Sequence, residues 1–152
     1  MLKKIIIIIF LCSFISHCGY TPMYSLENNS YFNFKKIIIE GDNELSNFIE
    51  SNLERYNSDK SDKEVTLEIN VDYKKLSQSK DLTGATTDYL LVAEVTFDIL
   101  LNNEVSKVNI KKDFIMKDMD KEFEERSYER TIKQNFAYSI VNKLIIQLSK
   151  SR

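Results

Sequence analysis

The chain has 152 residues, of which 43% are hydrophobic and 29% charged, and its formal net charge is −2. This composition is typical of a globular protein and gives no electrostatic footprint for nucleic acid. Both cysteines and the single histidine lie at or before Cys18. The chain beyond Cys18 therefore offers no cysteine or histidine for a zinc site, a haem ligand or a thiol nucleophile.

Residues 1–17 have the layout of a bacterial lipoprotein signal peptide. Two lysines precede an apolar run of about 11 residues, too short for the roughly 20 that span a bilayer. The segment ends at Cys18, with Ile15 at −3 and Ser16 at −2. This arrangement resembles a lipobox, in which the cysteine sulfur is diacylated before the chain is cut ahead of the cysteine.

One position departs from the lipobox pattern. His17 occupies −1, where the motif prefers Gly, Ala or Ser, and the alternative is an ordinary secretion signal with an incidental cysteine. In the lipobox interpretation Cys18 is the lipidation site, and the polar residues 18–30 form an irregular tether. Removal of residues 1–17 leaves 19 basic and 23 acidic side chains, a formal charge of −4.

Residues 31–152 predict one α+β domain. Two phenylalanines two positions apart and the isoleucines at 37–39 indicate a first strand. Asp42 or Asn43 provides a helix cap. Apolar residues then recur at spacings of three and four, which predicts an amphipathic helix of about three and a half turns. These residues are Leu45, Phe48, Ile49, Leu53 and Tyr56.

Three strands are predicted next. Residues 65–73 and 89–101 alternate apolar and polar side chains, as in strands with one wet face. Asn102-Asn103 predicts a tight turn, from which residues 104–116 return. Val105 has the opposite parity to the later apolar residues of this strand, which predicts either a bulge or an early twist near the turn.

A second amphipathic helix is predicted from Tyr128, with Asp118 and Asp120 as possible caps. The order β-α-β-β-β-α then predicts a two-layer sandwich, in which two helices cover one face of a four-stranded mixed sheet. The first two strands should be parallel through a right-handed crossover, and the last three should form an antiparallel meander.

The sequence contains none of the common catalytic or nucleotide-binding motifs, such as G-x-S-x-G, Walker A, G-x-G-x-x-G or H-E-x-x-H. We therefore expect no enzymatic activity and no cofactor. Lysines do cluster, notably at 35–36, 74–75 and 111–112. These pairs can protect strand edges and maintain solubility, or they can form a local basic patch for phosphates.

The segment Cys18-Gly-Tyr-Thr-Pro-Met-Tyr24 resembles the start of mature LptE-family lipoproteins in their alphaproteobacterial form, Cys-Gly-Phe-x-Pro-Leu-Tyr. The resemblance continues in order through Ile37-Ile-Ile-Glu-Gly41 and residues 89–101 and 128–148. It implies a non-catalytic lipoprotein, anchored through Cys18 to the periplasmic side of the outer membrane. Such a protein plugs the LptD β-barrel, helps it assemble and assists delivery of lipopolysaccharide to the outer leaflet.

The implied partners are an LptD-type barrel in a heterodimer, lipopolysaccharide and the membrane reached by the lipid anchor, with no nucleic acid. A charge of −4 favours the barrel interface over direct binding of an anionic glycolipid. Gly19 is not the aspartate that retains enterobacterial lipoproteins in the inner membrane. Two alternatives stay open: an auxiliary lipoprotein of an ABC-type lipid transporter, and a pilotin-like chaperone of a secretin.

The polar residues 74–87 are the predicted contact region, either as a loop or as strand ends that extend past the sheet. The predicted topology places them opposite the tether and the Asn102-Asn103 turn. The alternative is a merely solvated loop. Contacts with the barrel or with glycolipid are predicted for Lys74, Lys75, Lys80, Thr83, Thr86 and Thr87.

Overall fold

A computed structural model describes residues 31–101 and 104–150. The elements are β1 (Asn33–Gly41), α1 (Asn43–Glu54), β2 (Glu64–Lys80), β3 (Thr86–Leu101), β4 (Glu104–Lys117) and α2 (Glu122–Lys150). The predicted order β-α-β-β-β-α is confirmed. The predicted signal peptide, the tether with Cys18 and the Asn102-Asn103 turn lie outside the described residues.

The four strands form one mixed sheet in the order β1-β2-β3-β4. β1 runs parallel to β2, and the other two neighbouring pairs are antiparallel. This is the predicted α+β topology. No helix in the described part of the chain is both long and apolar enough to cross a bilayer.

The core lies between the sheet and the two helices. Period-two alternation points every second side chain of β2 toward the helices, and the cross-strand partners on β3 continue the same rows. The helices meet these rows with apolar stripes at spacings of three and four. The buried residues include Leu45, Ile49, Leu53, Leu67, Ile69, Val71, Val95, Phe97, Ile99, Phe136, Ile140 and Leu144.

Three predictions made from the sequence need correction or refinement. α2 begins at Glu122 and not at Tyr128. β2 continues to Lys80 and β3 begins at Thr86, so residues 74–87 are mostly strand. The bulge predicted near Val105 is wrong, because the register between β3 and β4 is continuous. Val105 pairs with Leu100 on the open face of the sheet and is 79% exposed. Val105 therefore departs from the apolar alternation of β4 because it is an exposed residue, and not because the strand contains a bulge.

β1 ends at Gly41, beside Val71, which is only about halfway along β2. Gly41 has φ +121°, and a Cβ atom there would lie 1.9 Å from the carbonyl oxygen of Val71. Only glycine tolerates both this positive φ and this close approach of the neighbouring backbone. The next residue, Asp42, donates its N–H to the same carbonyl oxygen at 3.1 Å. The chain therefore leaves the sheet at this point and starts α1.

Replacement of Gly41 with alanine should destabilise the fold by more than the same change at Gly84. Both glycines have positive φ, but a Cβ atom at Gly84 would meet nothing within 4 Å. Backbone strain alone costs about 1–2 kcal/mol, and at Gly41 the clash with Val71 adds to it. Urea unfolding of both variants measures the difference, and equal losses would contradict the described end of β1.

Candidate functional site: the distal half of the sheet

β2 and β3 extend well past the end of β1 and carry the predicted contact residues. We call this part of the molecule the distal half. It consists of residues 72–80 of β2, the turn that follows, the start of β3, the end of β4 and the first turns of α2. The chain enters at the other end, where Asn33 pairs with Glu64. The predicted location of residues 74–87, away from residue 31, is confirmed by this register.

The two neighbouring lysines of the distal half face opposite sides of the sheet. Lys74 is exposed on the open face and forms a salt bridge with Asp72, whose hydrogen bond raises the pKa of Lys74. Lys75 lies under α2, where its ammonium group contacts Glu125 and Glu129. Each lysine therefore already has acidic partners, and the pair does not form one basic surface.

The turn at the distal tip is held by its own hydrogen bonds. The N–H and the hydroxyl of Thr83 donate to Oδ1 of Asp81 at 2.8 and 2.7 Å. The side-chain hydrogen bond from Thr83 lowers the pKa of Asp81. Leu82 is fully exposed at this tip. The tip therefore presents an apolar side chain on an ordered turn.

The remaining predicted contact residues are spread along the hairpin. Lys80 is exposed at the end of β2, across from Thr86. The hydroxyls of Thr86 and Ser77 lie 3.0 Å apart, and Thr87 donates to Asp88 at 2.9 Å. The predicted residues share one hairpin, but they occupy two faces and a tip and do not converge on a single anion-sized site.

A polar network holds the first turns of α2 against the distal half, and the sequence alone did not reveal it. The most N-terminal buried side chain of α2 is Ile132. Before it, Glu129 accepts a hydrogen bond from the hydroxyl of Tyr73 at 2.8 Å and contacts Lys75 at 3.0 Å. Lys75 also lies over the ring of Tyr89, 4.3 Å from its centroid. These charged and polar contacts add to one aromatic contact, in which the Tyr128 ring meets the Phe114 ring of β4 edge-on at 6.3 Å.

The network changes the acidity of its members in consistent directions. Burial, followed by the hydrogen bond to Glu129, raises the pKa of Tyr73. The hydrogen bond from Lys75 lowers the pKa of Glu125. Burial by itself lowers the pKa of Lys75, but the bonds to Glu125 and Glu129 outweigh burial and raise it. The lysine is therefore charged and the carboxylate ionised at neutral pH.

The second lysine of this region, Lys133, belongs to α2 itself and is only 7% exposed. Its ammonium lies 3.2 Å from Asp42, 3.3 Å from Glu44 and 4.1 Å from the centroid of the Tyr73 ring. The sequence did carry a signal for this position. Lys133 precedes Ala137 by four residues, and Ala137 belongs to a buried row of α2, which places Lys133 on a packed face.

An open cleft lies between the start of α1 and the first turns of α2. Its volume is about 660 Å³, and its lining residues are Glu44, Phe123, Arg126, Ser127, Glu129 and Arg130. Arg126 pairs with Glu122 at 3.0 Å, and both side chains are largely exposed. Such surface pairs contribute little to stability. The cleft thus offers an accessible guanidinium and an exposed phenylalanine ring.

No protein-family model matches the chain, and neither does any curated protein sequence. Solved structures with the same fold include rare lipoprotein B from Shewanella oneidensis, with TM-score 0.55 and 15% identity over 76% of this chain and 94% of that one.

An uncharacterized lipoprotein B from Nitrosomonas europaea matches with TM-score 0.52 and 16% identity, over 79% of this chain and 85% of that one. A putative lipoprotein from Caulobacter crescentus matches with TM-score 0.53 and 13% identity, over 74% and 85% of the two chains. The chain therefore has the fold of these bacterial lipoproteins.

Glu125→Gln should weaken the attachment of α2 at neutral pH and lose its effect in acid. The folded-state pKa of Glu125 lies below the ordinary value of 4.5. The stabilisation by its ionised form is therefore complete above pH 4.5 and is lost as the pH falls through the folded-state value. We expect a loss of about 1 kcal/mol at pH 7.

Urea unfolding at pH 7 and pH 3 measures this dependence. Glu124→Gln is the matched control, because Glu124 contacts only the exposed Lys121 among the described ion pairs and should change stability by roughly 0.5 kcal/mol or less. An effect of Glu125→Gln that is equally large at both pH values would show that the ion pair with Lys75 is not its cause.

Proposed function

We propose that the chain is an LptE-like lipoprotein that is anchored through Cys18 to the periplasmic side of the outer membrane. It occupies and helps to assemble an LptD-type β-barrel and assists delivery of lipopolysaccharide to the outer leaflet. The observation that carries the proposal is the fold shared with rare lipoprotein B, the family also named LptE. The alphaproteobacterial form is proposed on the motif from Cys18 to Tyr24 alone.

The shape of the domain supports a role as a plug. β2 has 17 residues and spans roughly 55 Å. Its distal end lies opposite the end at which the tether enters, so a lipid at Cys18 would leave the distal half free to enter a barrel first. The sheet has one open face with mixed charge, which suits a hydrated lumen.

The charges of the distal half support a polypeptide partner more strongly than direct capture of an anionic glycolipid. Lys74 and Lys75 are already paired with carboxylates. Lys80 and the hydroxyls of Thr83, Thr86 and Thr87 remain proposed contacts with either the barrel or lipopolysaccharide.

The alternative role in an ABC-type lipid transporter is less well supported. Such a protein requires an apolar cavity that encloses a lipid. The cleft between the two helices is instead open and lined largely by charged and polar side chains, as is a second cleft beside Glu68 on the sheet. The alternative role as a pilotin-like chaperone does not require a cavity. The identity of the protein that co-purifies with the chain distinguishes this role from the proposed one.

Purification of the tagged full-length protein from solubilised outer membranes tests the proposed partner. We expect a large β-barrel protein of the lipopolysaccharide export type in roughly equimolar amount. Recovery of inner-membrane transporter subunits or of a secretin in its place would contradict the proposal and identify the alternative role.

The lipid anchor is tested by palmitate labelling. Cys18→Ser should abolish the label and release the protein from the membrane fraction, because the thioether forms at sulfur. Cys12→Ser is the control, since Cys12 lies in the predicted signal peptide and its loss should leave labelling unchanged. A Cys18→Ser protein that is still labelled would contradict the predicted site.

A further inference from the structure

Within the described part of the chain, the edge of β2 that faces β1 is paired up to Val71 and unpaired beyond it. Up to this residue β2 is covered by β1. No strand in the described residues, 31–101 and 104–150, pairs with this edge of β2 from Asp72 onward. Gly41 and Asp42 produce this gap, because they turn the chain out of the sheet although β2 continues. A strand edge with unpaired N–H and C=O groups is a template for a further strand.

The register identifies which backbone groups face the gap. The carbonyl of Val71 points toward β1, since it accepts the N–H of Asp42. Successive residues of a strand direct their N–H and C=O groups to alternate sides. The groups of Tyr73, Lys75 and Ser77 therefore face the open edge, and those of the residues between them face β3.

The open edge is short and has a defined end. The pairing of β2 with β3 shifts register between Ser77 and Ser79 and again at Lys80. Register shifts of this kind twist an edge away and stop pairing. The usable edge thus runs from Asp72 to Ser77 and spans roughly 20 Å. This length suits one short strand and limits uncontrolled association.

The cleft between the two helices lies beside this edge. Glu129 lines the cleft and also bonds to Tyr73 and Lys75, the residues whose backbone groups face the gap. Phe123 and Arg126 line the same cleft. An added strand directs alternate side chains toward the helices, where an apolar residue would meet Phe123 and a carboxylate would meet Arg126.

We propose that the β2 edge from Asp72 to Ser77 receives an extended strand of a partner polypeptide, which adds to the sheet where β1 stops. The inference rests on the proposed function, in that the partner is the outer-membrane barrel protein. The partner segment is extended, carries an acidic residue for Arg126 and an apolar residue for Phe123, and donates and accepts main-chain hydrogen bonds at Tyr73, Lys75 and Ser77.

A proline substitution tests the proposal, because proline removes an N–H group without disturbing the other side of the strand. Ser77→Pro removes a donor that faces the gap. Ser77→Ala is its matched control, since it loses the same hydroxyl and keeps the N–H. Each full-length variant is co-expressed with the barrel protein, and the retained barrel is quantified after purification.

We expect Ser77→Ala to retain the barrel within about twofold of the unmodified chain and Ser77→Pro to retain roughly tenfold less. Equal retention by the two variants would overturn the inference and leave the proposed function intact. Failure of the unmodified chain to retain the barrel would instead overturn the proposed function, and this inference with it.

Amide hydrogen exchange of the unmodified chain gives a second readout that does not depend on the folding of a variant. In the complex, the amides of Tyr73, Lys75 and Ser77 should exchange at least about tenfold more slowly than in the free protein. The amides of Lys74 and Leu76, which bond to β3, should be slow in both. Unchanged exchange of the Tyr73 and Lys75 amides in the complex would overturn the inference. The same would follow if these amides were slowed in the absence of the barrel protein, by pairing with a second copy of this chain.

Discussion

Asp42 is the point at which the sheet and both helices are joined. Its N–H donates to the carbonyl of Val71 on β2 at 3.1 Å, and its carboxylate accepts the N–H of Leu45 at 2.8 Å and so caps α1. The same carboxylate lies 3.2 Å from the ammonium of Lys133 on α2. The end of β1, the start of α1 and the position of α2 therefore depend on one side chain and its backbone.

This junction separates two parts of the molecule that are stabilised differently. Between Asp42 and the tether, both helices pack apolar stripes on the sheet. In the distal half, α2 is held by the contacts of Glu125 and Glu129 with Lys75 and Tyr73 and by one aromatic contact between Tyr128 and Phe114. Ion pairs of this type add less stability than apolar burial of equal extent. Regions of lower local stability are those from which binding surfaces are commonly drawn.

Most of the architecture could be predicted from the sequence, because alternation in 65–73 and helical spacing in 43–56 are strong local signals. The extension of β2 to Lys80 and the start of β3 at Thr86 could not be predicted. Beyond Tyr73 the alternation is lost, because Lys75 faces charged residues of α2 and the open face carries lysines together with the half-exposed Leu76. The contacts of Lys75 with Glu125 and of Lys133 with Asp42 join residues 50 and 91 positions apart, and no local pattern encodes such pairs.

The first turns of α2 should be less stable than the turns that pack on the apolar core. Residue-resolved amide hydrogen exchange at neutral pH tests this difference directly in the free protein. The amides of residues 126–131 should exchange at least roughly tenfold faster than those of residues 136–145, through local opening of the first turns. Equal protection along the whole of α2 would contradict this difference, because the polar contacts of the distal half would then be as strong as the apolar core.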